Sequence, residues 1–299
     1  MIMEKATKGR IHCQFHSTGT VTGRFSSSNP NLQQVPARDQ ELAPLIRDLF
    51  LPEEGEDWVC ADYAQQEPRV LVHYASLKNI DSALTARDNY HQDENTDFHQ
   101  MVADMAEIPR KQAKTINLGL FYGMGQKKLA RELGLDEETA RSLFKKYHSK
   151  VPFVRTISNQ VSNIASTRGY IKTLLGRKRR FNLWEPVDSF GEKAFPYSQA
   201  AATYHKQKLK RAYTHKALNA LIQGSAADIT KAAMYQIYKA GLLNDINLLL
   251  TVHDELDFSI APNKQKCLNE AIQIMKSCIK LEVPLQVDVE RGSTWGTIK

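Results

Sequence analysis

Near its two ends the chain carries short apolar runs that stop on an acidic residue, and between them apolar positions recur at helical spacing. Residues 57–63, around Trp58-Val59, predict a strand, and Asp62 stands at its end. Asn247 to Val252 and Glu255 to Ile260 predict two more strands, separated by a His253-Asp254 turn. Glu67 to Ser76 reads as a helix, with Pro68 tolerated in its first turn. Residues 97–150 read as several helices, among them Arg110 to Gly123 and the amphipathic Glu137 to His148. Residues 168–181 predict a hairpin, and residues 198–240 a helical stretch with Ala-rich runs. Lys264 to Leu281 predicts a last helix and Pro284 to Val289 a last strand. Residues 1–45 predict loops with short strands, the Ser17 to Pro36 stretch being rich in turn formers. This order predicts an α+β fold: an antiparallel sheet built from both ends of the chain, interrupted by a long helical insertion.

A chain of 299 residues can bury a substantial core in one to three domains. No run of about 18 apolar residues is present, so a membrane partner is not expected. Met1-Ile2-Met3-Glu4-Lys5 lacks the apolar core of a signal peptide. Cys13, Cys60, Cys267 and Cys278 have no zinc-ligand spacing and read as reduced thiols, which points to the cytoplasm. The net charge is +7, and the basic residues cluster in Arg177-Lys178-Arg179-Arg180 and in Lys206 to Arg211. Such blocks suit a phosphate backbone, although charge alone is a weak signal.

The sharper signal combines two carboxylates and one helix. Asp62 and Asp254 each end an apolar strand. Brought close, they repel unless a cation sits between them, and all-oxygen ligands suit Mg²⁺. Two such ions clamp an in-line phosphoryl displacement. Steps of four residues drift only about 40° around a helix, so Arg110, Lys114, Leu118 and Tyr122 share one face over roughly 18 Å. A triphosphate fits the charged part of that face, with a base and sugar against the rest. Gly119 and Gly123 allow close approach of another chain or a base pair. Any one of these features taken alone reads as a turn residue, a cap or a solvated face. Their coincidence is what points to phosphoryl transfer.

The motifs resemble, in order, those of family A (DNA polymerase I-like) DNA polymerases. Thr20 to Ser27 with Asn29 to Pro36 looks like the segment that grips the primer-template, and Asp62-Tyr63-Ala64-Gln65-Gln66-Glu67-Pro68-Arg69 resembles motif A. Arg110 to Gly123 resembles motif B, and Leu221 to Asp228 the helix before motif C. Val252-His253-Asp254-Glu255 is similar to motif C itself. The resemblance, which runs from about Thr20 to Trp295, implies a right-hand polymerase: palm residues 1–72 and 213–299, and helical fingers residues 73–212.

It also implies roles. Asp62 and Asp254, with the Tyr63 carbonyl, hold two Mg²⁺ ions, for which Mn²⁺ can substitute, and Glu255 supports the metals or the primer end. His99, Arg110 and Lys114 bind the dNTP phosphates, with Lys114 as the acid that protonates pyrophosphate. Glu67 is the steric gate against a ribose 2′-OH, with Gln65, Leu118 and Tyr122 also in the dNTP site. Arg24, Asn31, Gln33, Arg69, Asn219, Gln223 and His253 contact the primer-template. Leu118 stands where the family more often has Phe or Tyr, which resembles phage-type enzymes and implies a host cytoplasm. Only the 19 residues before Thr20 precede the motifs, so the resemblance predicts that thumb and exonuclease domains are absent from this chain. A separate thumb-bearing or exonuclease polypeptide, or a processivity factor, then becomes an expected partner, and duplex binding should be salt-sensitive. Two competing readings are a single-subunit RNA polymerase, disfavoured by Glu67, Glu255 and the Thr22 to Ser27 segment, and a catalytic half that is silent without its partner.

Overall fold

The computed structural model describes residues 6–36, 39, 41–121, 126–188 and 191–298. The chain divides into two compact units, residues 1–69 with 226–299, and residues 70–225. The fold is mixed α+β with antiparallel sheets.

The first unit is built on a four-stranded antiparallel sheet whose central strand, Asp57–Tyr63, lies between Glu255–Ile260 and Val287–Gly292, with Asn247–Val252 at the edge. The expected hairpin around His253-Asp254 is present, Val252 pairing with Glu255. Alternation gives the sheet two unlike faces. On one face Val59, Ala61, Leu256, Phe258 and Ile260 are fully buried. Tyr63 reaches past this face to donate its hydroxyl to the Met275 carbonyl at 2.8 Å, which ties the sheet to the helix Gln265–Ser277. The other face carries Cys60 and Asp62 on the central strand. Their cross-strand partners are Asp257 and Glu255 on one side, and Glu290 and Asp288 on the other. Trp58 closes the far end of this face by stacking on Trp295, ring centroids 5.6 Å apart.

The second unit is largely helical. Helices Phe98–Ala106, Arg110–Phe121, Gln126–Leu133, Glu137–Lys150 and Pro152–Arg168 follow one another. Phe98, Phe121 and Phe153 meet at their centre. The hairpin expected at 168–181 forms between Tyr170–Lys172 and Lys178–Arg180.

Several elements differ from the sequence reading. The stretch 198–240 is not one helix: Tyr197–Thr203 is helical, Leu209–Arg211 is a strand, and the helix resumes at Ala217–Lys239. The strand pairs with Leu183–Pro186, where Arg211 lies 4.5 Å over the Trp184 ring and Lys210 faces Glu185. The basic block at 206–211 is thus partly committed to its own sheet. The last strand is Val287–Gly292 instead of 284–289, the last helix stops at Ser277, and helices Leu42–Arg47, Asp81–Gln92 and Pro152–Arg168 were not anticipated. Among the described residues no helix is long and apolar enough to cross a membrane.

Candidate active site

The first unit concentrates carboxylates. Antiparallel register sets Glu255 and Asp288 directly opposite Asp62, on either side of the central strand. Cross-strand neighbours on one face stand about 4.5–5.5 Å apart, and like charges so placed destabilise a sheet. The hairpin turn adds a third neighbour, because the Tyr63 amide donates to the Asp254 carbonyl at 3.4 Å. Burial, then Asp254, Glu255 and Asp288 in that order, push the Asp62 carboxyl up to about 8. Burial also raises Asp254, opposed by Arg24. One oxygen of Asp62, Oδ1, is buried without a hydrogen-bond donor among the described residues. An orphaned carboxylate oxygen among like charges, with oxygen donors throughout, fits a hard divalent cation. Asp62 and Asp254, expected as a pair, are brought together, and Glu255 joins them.

Arg24 and Glu67 form an ion pair at 2.7 Å, both largely buried. Glu67 lies in the first turn of the helix Gln66–Ser76, following Gln65, whose φ is +51°. Burial raises the Glu67 carboxyl, Arg24 opposes that, and Asp254 adds to it, so the pair lies within reach of the carboxylate cluster. His253 is exposed at the hairpin turn with φ +58°, a left-handed conformation that non-glycine residues rarely adopt.

Other residues expected at a primer-template surface have structural ties. Asn31 caps a short turn by accepting from the Gln33 amide, and the Gln33 side chain donates to the Thr251 carbonyl at 3.0 Å. Arg69 departs furthest from expectation: it is 1% exposed and donates to the Ala64 and Pro284 carbonyls. It braces the turn after the central strand from inside.

The second unit concentrates cations. Arg110 opens the helix Arg110–Phe121, and Lys114 follows one turn later, both exposed. Asp97 organises this end. Its Oδ1 caps the helix Phe98–Ala106 through the His99 and Gln100 amides, and its Oδ2 accepts from Arg110 Nε at 2.9 Å. His99 is held through Nδ1 by Asn117, which is buried and accepts from the Tyr147 hydroxyl. Burial lowers the His99 pKa, Asp97 opposing and Lys114 and Arg110 adding, so the imidazole and both cations share one neighbourhood. Asp97, Asn117 and Tyr147 were not anticipated. The available signal was an Asn on the same helix face as Arg110 and Lys114.

Gly119 serves packing. A Cβ there would lie 1.9 Å from Leu129 Cδ2 in the next helix, so the close approach is intramolecular. Gly119→Ala is expected to cost about 1–3 kcal/mol through overpacking, and Gly119→Ala with Leu129→Ala to recover part of it. Urea unfolding of the two variants checks this. Leu118 is half-buried on the same helix, and Asn219 and Gln223 are half-buried one turn apart on the helix Ala217–Lys239. Tyr122 and Gly123 lie outside the described residues.

Carboxylates gathered on a sheet are a donor set for hard cations, and cations gathered at a helix start are one for phosphate. The chain belongs to DNA polymerase family A, whose sequence profile matches residues 1–297. It is 39% identical to a DNA-directed DNA polymerase of Pseudomonas phage M6, covering 99% of this chain and 48% of that protein. It is 32% identical to the thermostable DNA polymerase I of Thermus aquaticus, covering 97% of this chain and 33% of that one. Its fold matches the POL domain of Pol1 from M. smegmatis, solved in complex with DNA primer-template and dNTP, with a TM-score of 0.81 and 32% identity. That match covers 99% of this chain and 50% of the other. The chain therefore spans about half or less of the length of these relatives. Members of this family use divalent metal ions.

Proposed function

We propose that this chain is the palm and fingers portion of a template-directed DNA polymerase, which transfers a deoxynucleotidyl group from a dNTP to a primer 3′-OH and releases pyrophosphate. The carrying observation is Asp62, flanked by Glu255 and Asp288 and joined by Asp254, in a chain of family A. The first unit corresponds to palm, the second to fingers. Asp62, Asp254 and the Tyr63 carbonyl would hold two Mg²⁺ ions, or Mn²⁺, whose chemistry would be to lower the pKa of the attacking 3′-OH and to neutralise charge on the pyrophosphate. Arg110 and Lys114 bind the triphosphate, and Lys114 supplies the proton that pyrophosphate takes up. Asp97 fixes the Arg110 guanidinium, and Asn117 with Tyr147 fixes the His99 ring toward the phosphates. Arg24 and His253 face the primer terminus, and Gln223 and Asn219 the duplex.

The test is single-nucleotide primer extension with the 299-residue chain, Mg²⁺ and dNTPs at low salt, with Asp254→Ala as control. Extension lost in the control supports the reading. A folded chain that extends nothing favours a catalytic half dependent on a further polypeptide.

Glu67, pinned by Arg24, is assigned the exclusion of a ribose 2′-OH. Glu67→Ala is expected to raise ribonucleotide use relative to deoxynucleotide by at least about tenfold. Glu67→Gln keeps the volume and should keep the selectivity. Competition between rNTP and dNTP on one primer checks both, and unchanged selectivity in Glu67→Ala removes the gate role.

A further inference from the structure

We propose that the inner row of the acidic sheet face, Cys60 with Glu255 and Asp257, is a second metal site, selective for a borderline transition-metal dication of the Zn²⁺ type. The three side chains come from two paired strands, Cys60 lying opposite Asp257, and each offers a ligand atom within 4.8 Å of the others. Ligands of one ion stand no more than about 4.6 Å apart, twice the zinc–sulfur bond. Small side-chain shifts therefore close the set.

Asp257 supplies the independent observation. It is 0% exposed, on a face where a carboxylate has no water to satisfy it. Its Oδ1 accepts from Trp58 Nε1 at 2.9 Å, but its Oδ2 is buried with no hydrogen-bond partner among the described residues. Glu255 offers a second carboxylate within 4.8 Å, so two carboxylates meet beside the Cys60 sulfur. Positive charge beside this row is sparse. The adjoining cleft of about 260 Å³ is lined by Asp62, Glu255, Asp288 and Glu290 against one cation, Arg47. Arg47 stacks at 4.4 Å over Trp295 and donates Nε to the Pro36 carbonyl. The cleft also supplies an entry path to Cys60, and Glu290, cross-strand from Cys60, is placed to add a fourth ligand at its mouth.

Ligand chemistry separates this site from the Asp62–Asp254 pair. Oxygen-only ligands favour Mg²⁺, whereas one thiolate with carboxylates favours Zn²⁺ or Co²⁺. The metal-bound cysteine is a thiolate, so binding releases its proton. The inference does not depend on the polymerase reading.

The test is a Co²⁺ titration of the 299-residue chain in excess Mg²⁺, which competes for any oxygen-only ligands. We expect a sulfur-to-cobalt charge-transfer absorption that saturates at one equivalent and is displaced by Zn²⁺. It should vanish in Cys60→Ser and persist in Cys267→Ser and Asp254→Ala. Asp257→Asn, which keeps the thiol and the Trp58 hydrogen bond, should weaken Co²⁺ binding by at least about tenfold, and it serves alone if Cys60→Ser fails to fold by circular dichroism. Absence of the absorption, its survival in Cys60→Ser, or unchanged affinity in Asp257→Asn overturns the assignment.

Discussion

Asp62→Asn is expected to abolish nucleotide incorporation and, in chelator, to raise the thermal midpoint of the protein. The first effect follows from the proposed role of Asp62 as a charged metal ligand. At least about a thousandfold, or about 4 kcal/mol, should be lost, because the remaining carboxylates cannot hold the metal charge in place. The second effect follows from the register. Glu255 and Asp288 flank Asp62 on adjacent strands, and Asp254 lies at the turn beside it, so without metal the ionised Asp62 is repelled from several directions. Asn keeps the shape and removes the charge. Each kcal/mol of relieved repulsion corresponds to roughly 2–4 °C for a protein near this size.

The pH dependence carries the sign. In the fold the Asp62 carboxyl is raised from 3.8 to about 8, so the folded state binds a proton that the unfolded chain releases. The contribution to stability is full below the ordinary carboxylate pKa and is lost as pH rises through about 8. Wild type in chelator should therefore lose stability between those limits, and Asp62→Asn should lose less. Calorimetry across that range, paired with primer extension, checks both. Retained incorporation sinks the metal assignment, and an unchanged or lower midpoint sinks the repulsion.

What was legible in the sequence was local. The central strand and the His253-Asp254 hairpin could be read because apolar runs bounded by polar residues report a strand without knowledge of its partners. The Asp62–Asp254 pair followed, since a strand end fixes where a side chain emerges. The rest depended on pairing. Asp288 and Glu290 sit in an unremarkable stretch, and only the register opposite Asp62 and Cys60 makes them members of an acidic face. Lys206 to Arg211 follows an Ala-rich run and scores as helix, yet Leu209–Arg211 becomes a strand because Trp184 and Glu185 lie opposite it. Arg69 belongs to a motif associated with DNA, and burial turns it into a brace. In each case a contact distant in sequence outweighed a local preference.

Lys114→Ala is expected to give the other large loss, about 10²–10⁴-fold in kcat, with a smaller change in KM. Arg110 and Lys114 share a helix face but differ in commitment. Arg110 is already bonded to Asp97, so its guanidinium is held in place, and in the proposed site it would contribute mainly to binding. Among the described residues no hydrogen bond or ion pair holds Lys114, so in the proposed site its ammonium would be free to follow charge on the leaving group. An interaction made only at the transition state lowers kcat, whereas one made equally with the bound substrate raises KM. Arg110→Ala should therefore raise KM for dNTP and spare more of kcat. Lys114→Arg separates charge from proton donation: arginine keeps the charge but does not give up a proton near neutral pH. If Lys114 is the acid, Lys114→Arg restores dNTP affinity without the rate. Recovery of the full rate by arginine leaves Lys114 as an electrostatic anchor and moves the proton to solvent.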